Sequence, residues 1–154
     1  TNGFYGMMQP GDERTRMLEH CRAEADRIAA EAPSYGFAYL IGALAAAKLG
    51  DTDGFNSRML RAQITTPNEL WVAELRVPMV EDQFAHTSPE VQVRHENDLR
   101  LMVASNRGVS GISERYIREP DFRERITAIV ETMPQAEQAK FVSRVRQAAE
   151  RVRQ

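Results

Sequence analysis

Strand signals are nearly absent from this chain, and nearly every stretch between its prolines and glycines repeats apolar residues at the helical spacing. Those breakers cut the chain into helix-length pieces. A first helix is predicted from near Asp12 to Pro33, with Met17, Cys21, Ala25, Ile28 and Ala32 at i, i+4, i+8, i+11 and i+15. A second runs from about Ser34 to Leu49. Tyr35, Phe37, Tyr39, Leu40, Ile41 and Leu44 leave it little polar face, so it is expected to be packed on most sides. Gly50 is a good stop for it, and Asp51 or Asp53 a good cap for a third helix. That helix carries Phe55, Met59, Leu60 and Ala62 and closes before Pro67.

The second half follows the same grammar. Asn68 is placed to cap a fourth helix holding Leu70, Trp71, Leu75, Val80 and Phe84, with a kink or break expected at Pro78. Ser88 and Pro89 open a fifth, with Val91, His95, Leu99, Met102 and Val103 on one side and Gly108 after its end. A short turn or helix spans Ile112 to Arg118. Pro120 and Asp121 open another, with Phe122, Ile126, Ile129 and Met133 in phase. The last helix, Gln135 to about Val152, is expected to bury Ala139, Val142, Val145, Ala149 and Val152. The expected fold is all-α: seven or eight helices in antiparallel hairpins forming a single domain over residues 1–154, with hairpins over 12–67 and further packed helices over 68–154.

Composition closes off several classes of function. With 154 residues, 42% hydrophobic and 27% charged, the chain can bury a real core and is too apolar for intrinsic disorder. A net charge of -2 gives no global attraction to nucleic acid, and no nucleic-acid partner is expected. The basic residues are nearly all arginine, whose planar fork suits carboxylates and phosphates, although GC-rich coding alone produces the same bias. One cysteine excludes an internal disulfide and multi-cysteine metal sites. The longest apolar run, Gly36 to Ala47, falls far below the roughly 20 residues that span a bilayer and reads as a buried helix. The first residue is Thr1, which fits either removal of a signal or membrane anchor or an excised fragment. Phe4, Tyr5, Met7 and Met8 make the opening too apolar for a free tail, so it is expected to dock in a groove or to be the stub of such an anchor.

The stretch YGFAYLIGALAAAKLGDTDGFNSRMLRAQITTP, Tyr35 to Pro67, resembles a tetratricopeptide repeat. Tyr39 stands where the first helix of that repeat takes a large residue, Ala43 and Ala62 where it takes small ones, and Gly50 and Pro67 at its turn and its end. Phe55 departs from the pattern, since it occupies a small-residue position. Cys21 to Pro33 looks like the second helix of a degenerate preceding unit. The second half is similar to a group of small bacterial helical proteins encoded beside exopolysaccharide or O-antigen assembly genes, through LWVAELRV (Leu70 to Val77) and YIREPDFRERITAIVETMP (Tyr116 to Pro134). That likeness implies an exported, accessory role in the periplasm or at the envelope rather than in the cytoplasm, with membrane association through a removed N-terminal anchor.

Chemistry-bearing residues are few. Asp82 and His86 stand at i, i+4, with His95 and Glu96 one helix later; two helices could bring them together as a metal site, but no HExxH or repeated ExxH supports it. Cys21 lies on an apolar stripe, where a buried small hydrophobe is expected, and His20 points about 100° away from it. The glycines in Gly108-Val109-Ser110-Gly111 lack the preceding strand and the lysine of a nucleotide loop. No catalytic residue, cofactor or metal site is therefore assigned. The residues singled out for interaction are Tyr35, Tyr39 and Trp71 as aromatic contacts, Arg76 as a charge within a packed helix, and Arg144 and Arg151 on the basic last helix. Arg76 reads first as half of a structural ion pair. The last-helix arginines read first as cations stabilised by the helix dipole. The expected function is a non-enzymatic scaffold or adaptor with a protein partner. A self-associating homodimer and a helical enzyme or small-ligand binder are the alternatives.

Overall fold

The computed structural model describes residues 10–154, and among them every regular element is helical. In order these are α1 (Pro10–Glu31), α2 (Gly36–Lys48), α3 (Thr52–Thr65), α4 (Leu70–Asp82), a 3-10 turn at Phe84–His86, α5 (Pro89–Ala104), α6 (Asn106–Arg118), α7 (Pro120–Val130) and α8 (Gln135–Val152). The all-α fold expected from periodicity is what the chain adopts. The apolar opening segment with Phe4, Tyr5, Met7 and Met8 lies outside the described residues.

Contacts divide the chain into two compact units. The first comprises residues 10–66 with Ala85–Val91, the second Pro67–Phe84 with Gln92–Gln154. In the first, α2 packs against both α1 and α3. The interface is rich in alanine, with Ala25 and Ala29 of α1, Ala38, Ala43, Ala45 and Ala46 of α2, and Ala62 of α3 buried around Leu40, Phe55 and Met59. The α2–α3 corner follows from backbone chemistry. Gly50 takes φ +73°, where a side chain would be strained. Its N–H donates to the Ala47 carbonyl and that of Asp51 to the Ala46 carbonyl, so a Schellman closure satisfies the end of α2. The Asp51 carboxylate then accepts from Gly54 N–H at 2.9 Å and caps α3. Arg58 of α3 holds Asp26 of α1 with two N–H donors, at 2.8 and 2.7 Å, and this pairing draws the Asp26 carboxyl below its usual range.

Several sequence expectations are corrected here. The N-terminal half of the α1 stripe does not pack: Met17 and Cys21 are exposed, and burial begins at Ala25. Helix α2 is packed on most sides, as expected, with Gly36, Ala38, Leu40, Gly42, Ala43, Ala45 and Ala46 buried, while Ile41 and Leu44 stay exposed. Glu69, with no side-chain bond, stands at the N-cap of α4 where Asn68 was expected. Of the kink or break expected at Pro78, the break is absent: α4 continues to Asp82, with Val77 and Val80 beside the proline fully buried. Gly108 does not follow the end of a helix but lies in the first turn of α6, which starts at Asn106 and is longer than the Ile112–Arg118 turn expected. On α8 the buried side is Phe141 with the partly covered Val145, Ala148 and Ala149, so Ala139, Val142 and Val152 of the expected stripe face solvent.

In the second unit α6 is the hub, packing on α4, α7 and α8. Val77, Leu99, Met102, Val103, Val109, Ile112, Phe122, Ile126, Ile129, Val130 and Phe141 form its apolar core. Tyr116 meets Phe141 edge to face at 5.5 Å. Arg123 donates to the Tyr116 and Ile117 carbonyls, satisfying the end of α6.

Two substitutions test this packing. A Cβ at residue 108 would stand 2.3 Å from the Met102 carbonyl oxygen, so Gly108→Ala must push α6 from the end of α5. It should cost about 1–3 kcal/mol in denaturant unfolding, and parental stability would refute that close approach. Ala43, fully buried between neighbours, should respond to Ala43→Leu by a similar ~1–3 kcal/mol, read as a lower melting temperature.

Candidate functional site

The second unit contains a cluster of buried charge. Arg76 on α4 is at 0% exposure, and its Nε and Nη2 donate to the two carboxylate oxygens of Asp98 on α5, both at 2.7 Å. One turn further along α4, Glu81 pairs through Oε1 with His95 Nε2 at 2.7 Å and through Oε2 with Arg125 of α7. The Arg125 guanidinium stacks 3.7 Å from the centroid of the Phe84 ring, whose quadrupole favours a cation on its face. Burial pushes the Glu81 carboxyl upward, but the hydrogen bonds from His95 and Arg125 outweigh it and hold the group below 4.5. Glu81 is thus a fully engaged carboxylate, a weak base at neutral pH. The Nδ1 of His95 is buried without a hydrogen-bond partner.

The cluster was partly legible. Periodicity placed His95 on the packed side of α5, and Asp98 stands at i+7 from Val91 on that same side, a carboxylate in phase with a core stripe. The identity of its cation was not legible, since Arg76 lies 22 residues away and Glu81 is 44 residues from Arg125.

A surface cleft of about 620 Å³ lies over α4 and α6, and none of the five clustered residues lines it. Val77, Pro78, Met102 and Ile112 contribute its apolar wall. Its arginines are matched to carboxylates: Arg107 to Glu74 at 2.8 Å, Arg115 to Asp82 at 2.9 Å and Glu119 at 3.0 Å, and Arg118 to Glu114 at 2.7 Å. The cleft therefore presents paired charge rather than a net field.

The residues singled out by sequence fall in different environments. Tyr35 is 51% exposed and its ring lies 6.2 Å from that of Phe37. Tyr39 is half-buried beneath the Arg61 guanidinium. Trp71 is 51% exposed. Arg76 is interior and its guanidinium pairs with Asp98, the structural ion pair read first for it. Arg144 is half-buried and Arg151 exposed. The sequence did not single out Ile41 and Leu44 as a surface; they are exposed on α2, with the half-buried Phe37 four residues before Ile41 and Lys48 four residues after Leu44. His86 is exposed, while Asp82 is held by Arg115 and His95 by Glu81. Among the described residues no group of three or more His, Cys, Asp or Glu side chains could hold a metal ion, and no helix is long and apolar enough to cross a membrane. No family model, curated protein or solved structure matches the chain.

Two measurements test the cluster. Asp98→Leu strands the Arg76 charge in the interior and should cost about 3–5 kcal/mol, whereas Arg76→Met with Asp98→Leu should recover most of that loss. Strictly additive losses in chemical denaturation would contradict the pairing. Because the folded Glu81 carboxyl titrates below its ordinary 4.5, its contribution is complete above about pH 4.5 and is lost as pH falls through the lower folded value. Glu81→Gln should therefore flatten the fall in melting temperature below pH 4.5; an unchanged acid slope would remove Glu81 from that dependence.

Proposed function

We propose that this chain is a non-enzymatic protein–protein interaction module whose α2 receives an amphipathic helix of a partner protein. The observation that carries the reading is the uncovered side of α2. It is the most apolar of the described helices; among the described residues its main neighbours are α1 and α3, and Ile41 (36%) and Leu44 (40%) remain open with the exposed Tyr35 beside the start of the helix. Groove-binding helices are recognised through contacts at i, i+4 and i+7, the spacing of Phe37, Ile41 and Leu44. Aromatic and aliphatic anchors of this kind concentrate interface energy. Lys48 at the end of the stripe favours an acidic residue on the incoming helix. The likeness of Tyr35 to Pro67 to a tetratricopeptide hairpin supports the same mode, because such hairpins present helical faces to peptides. The likeness of the second half to accessory proteins of exopolysaccharide and O-antigen assembly is the ground for placing the partner in the bacterial envelope. The non-enzymatic part rests on the buried cluster, in which both carboxylates are fully engaged by basic partners.

A photoreactive residue in place of Leu44, introduced in the native cell, tests the reading. It should yield an adduct with a different protein, while the same probe at Val93, an isolated exposed side chain of the other unit, should not. With the probe kept at residue 44, Ile41→Asp should keep the helical circular dichroism and reduce that adduct by at least ~tenfold. A concentration-dependent dimer of the probe-free chain abolished by Ile41→Asp with Leu44→Asp would replace the partner with a second copy. A folded His86→Ala or His95→Ala protein that loses its biological role while keeping the adduct would overturn the non-enzymatic reading.

A further inference from the structure

The second unit carries another surface feature, independent of α2. A pocket of about 360 Å³ lies between the first turns of α6 and the C-terminal half of α8. Arg107, Arg144 and Arg151 line it together with Asn106, Ser110 and Gln147, and no carboxylate does. Arg107 is shared with the neighbouring cleft and is matched there to Glu74, so in a chain of net charge -2 the local positive charge is that of Arg144 and Arg151.

Three further observations point to a ligand. The Nη1 atom of Arg144 is buried, yet it has no hydrogen-bond partner among the described residues. A covered guanidinium N–H without an acceptor is costly unless something accepts from it. Arg144 also stands more than a full turn before the end of α8 at Val152, too far for the dipole at that end to account for it. Finally, the pocket borders the N-terminus of the 13-residue α6. Ser105 caps Gly108 N–H there, but the first N–H groups of any helix have no partner within it, and the dipole end favours negative charge.

We propose that this pocket is a binding site for a phosphate group, held by Arg144 and Arg151 with Arg107 and Asn106 at its rim. Planar guanidinium forks match phosphate oxygens two at a time, and the positive end of the α6 dipole favours the same charge. Arg107 already donates its Nε to Glu74 at 2.8 Å, so it contributes with its remaining N–H groups. The group could belong to a free phosphorylated compound or to a lipid headgroup, and the experiment separates these sources.

Sodium pyrophosphate titrated into the full chain by calorimetry, at ionic strength matched with chloride, should bind saturably with one site per chain. Arg151→Gln, an exposed position where folding is not at stake, should weaken it by about tenfold, and Arg144→Gln by more. Arg146→Gln, on α8 but outside the pocket, should leave binding unchanged. In parallel, sedimentation with phosphatidylglycerol vesicles identifies a headgroup source if the vesicles retain the parent and release Arg151→Gln. Pyrophosphate binding without vesicle retention identifies a free compound. Absence of saturable binding to both probes would overturn the site. So would equal weakening by Arg146→Gln and Arg151→Gln, which would reduce it to non-specific surface charge.

Discussion

The second unit is organised around a guanidinium that has no access to water. An arginine at the position of Arg76 needs its charge met in the interior, and Asp98 meets it with both carboxylate oxygens. That demand ties α4 to α5 at one place and in one orientation. Glu81 extends the tie to His95 on α5 and to Arg125 on α7. Hydrophobic burial has magnitude but no direction, whereas these paired groups have both. Pro78 stands between the two anchors, so the point where α4 lacks a helical hydrogen bond is flanked by its most directional contacts.

The first unit solves the same problem differently. Its helices approach through alanine, and the buried side chains that set their spacing are small. Direction comes from the surface, where Arg58 and Asp26 link α3 to α1 and Arg22 reaches Asp51 at the α2–α3 corner. Helix α2 buries its small residues against α1 and α3, and Ile41 and Leu44 stay exposed on it although they are apolar enough for a core.

The two proposed surfaces use different physics. The α2 stripe offers desolvation and shape to another helix. The α6–α8 pocket offers fixed positive charge to an anion, at a place where the surrounding arginines of the neighbouring cleft are neutralised in pairs. Each sits within one unit and needs no contribution from the other.

Periodicity by itself determined the class of fold and most of the helix starts and stops, because the spacing of apolar residues and the backbone limits of glycine and proline act locally. Gly50, Asp51 and Ser88 do in the structure what their chemistry dictates in isolation. The sequence also placed His95 and Leu99 on a buried side, since an in-phase stripe faces the core whatever lies opposite. It could not say which sides lacked a partner. Met17, Cys21, Ile41 and Val142 all lie on apolar stripes, and they are exposed. Nor could it tell that Gly108 belongs inside a helix, since the reason is the Met102 carbonyl across a tight corner. The pairing of Arg76 with Asp98, and the convergence of Arg107, Arg144 and Arg151 on one pocket, join residues far apart in the chain. Only tertiary structure decided them, because a charge's partner is set by distance in space, which local spacing does not encode.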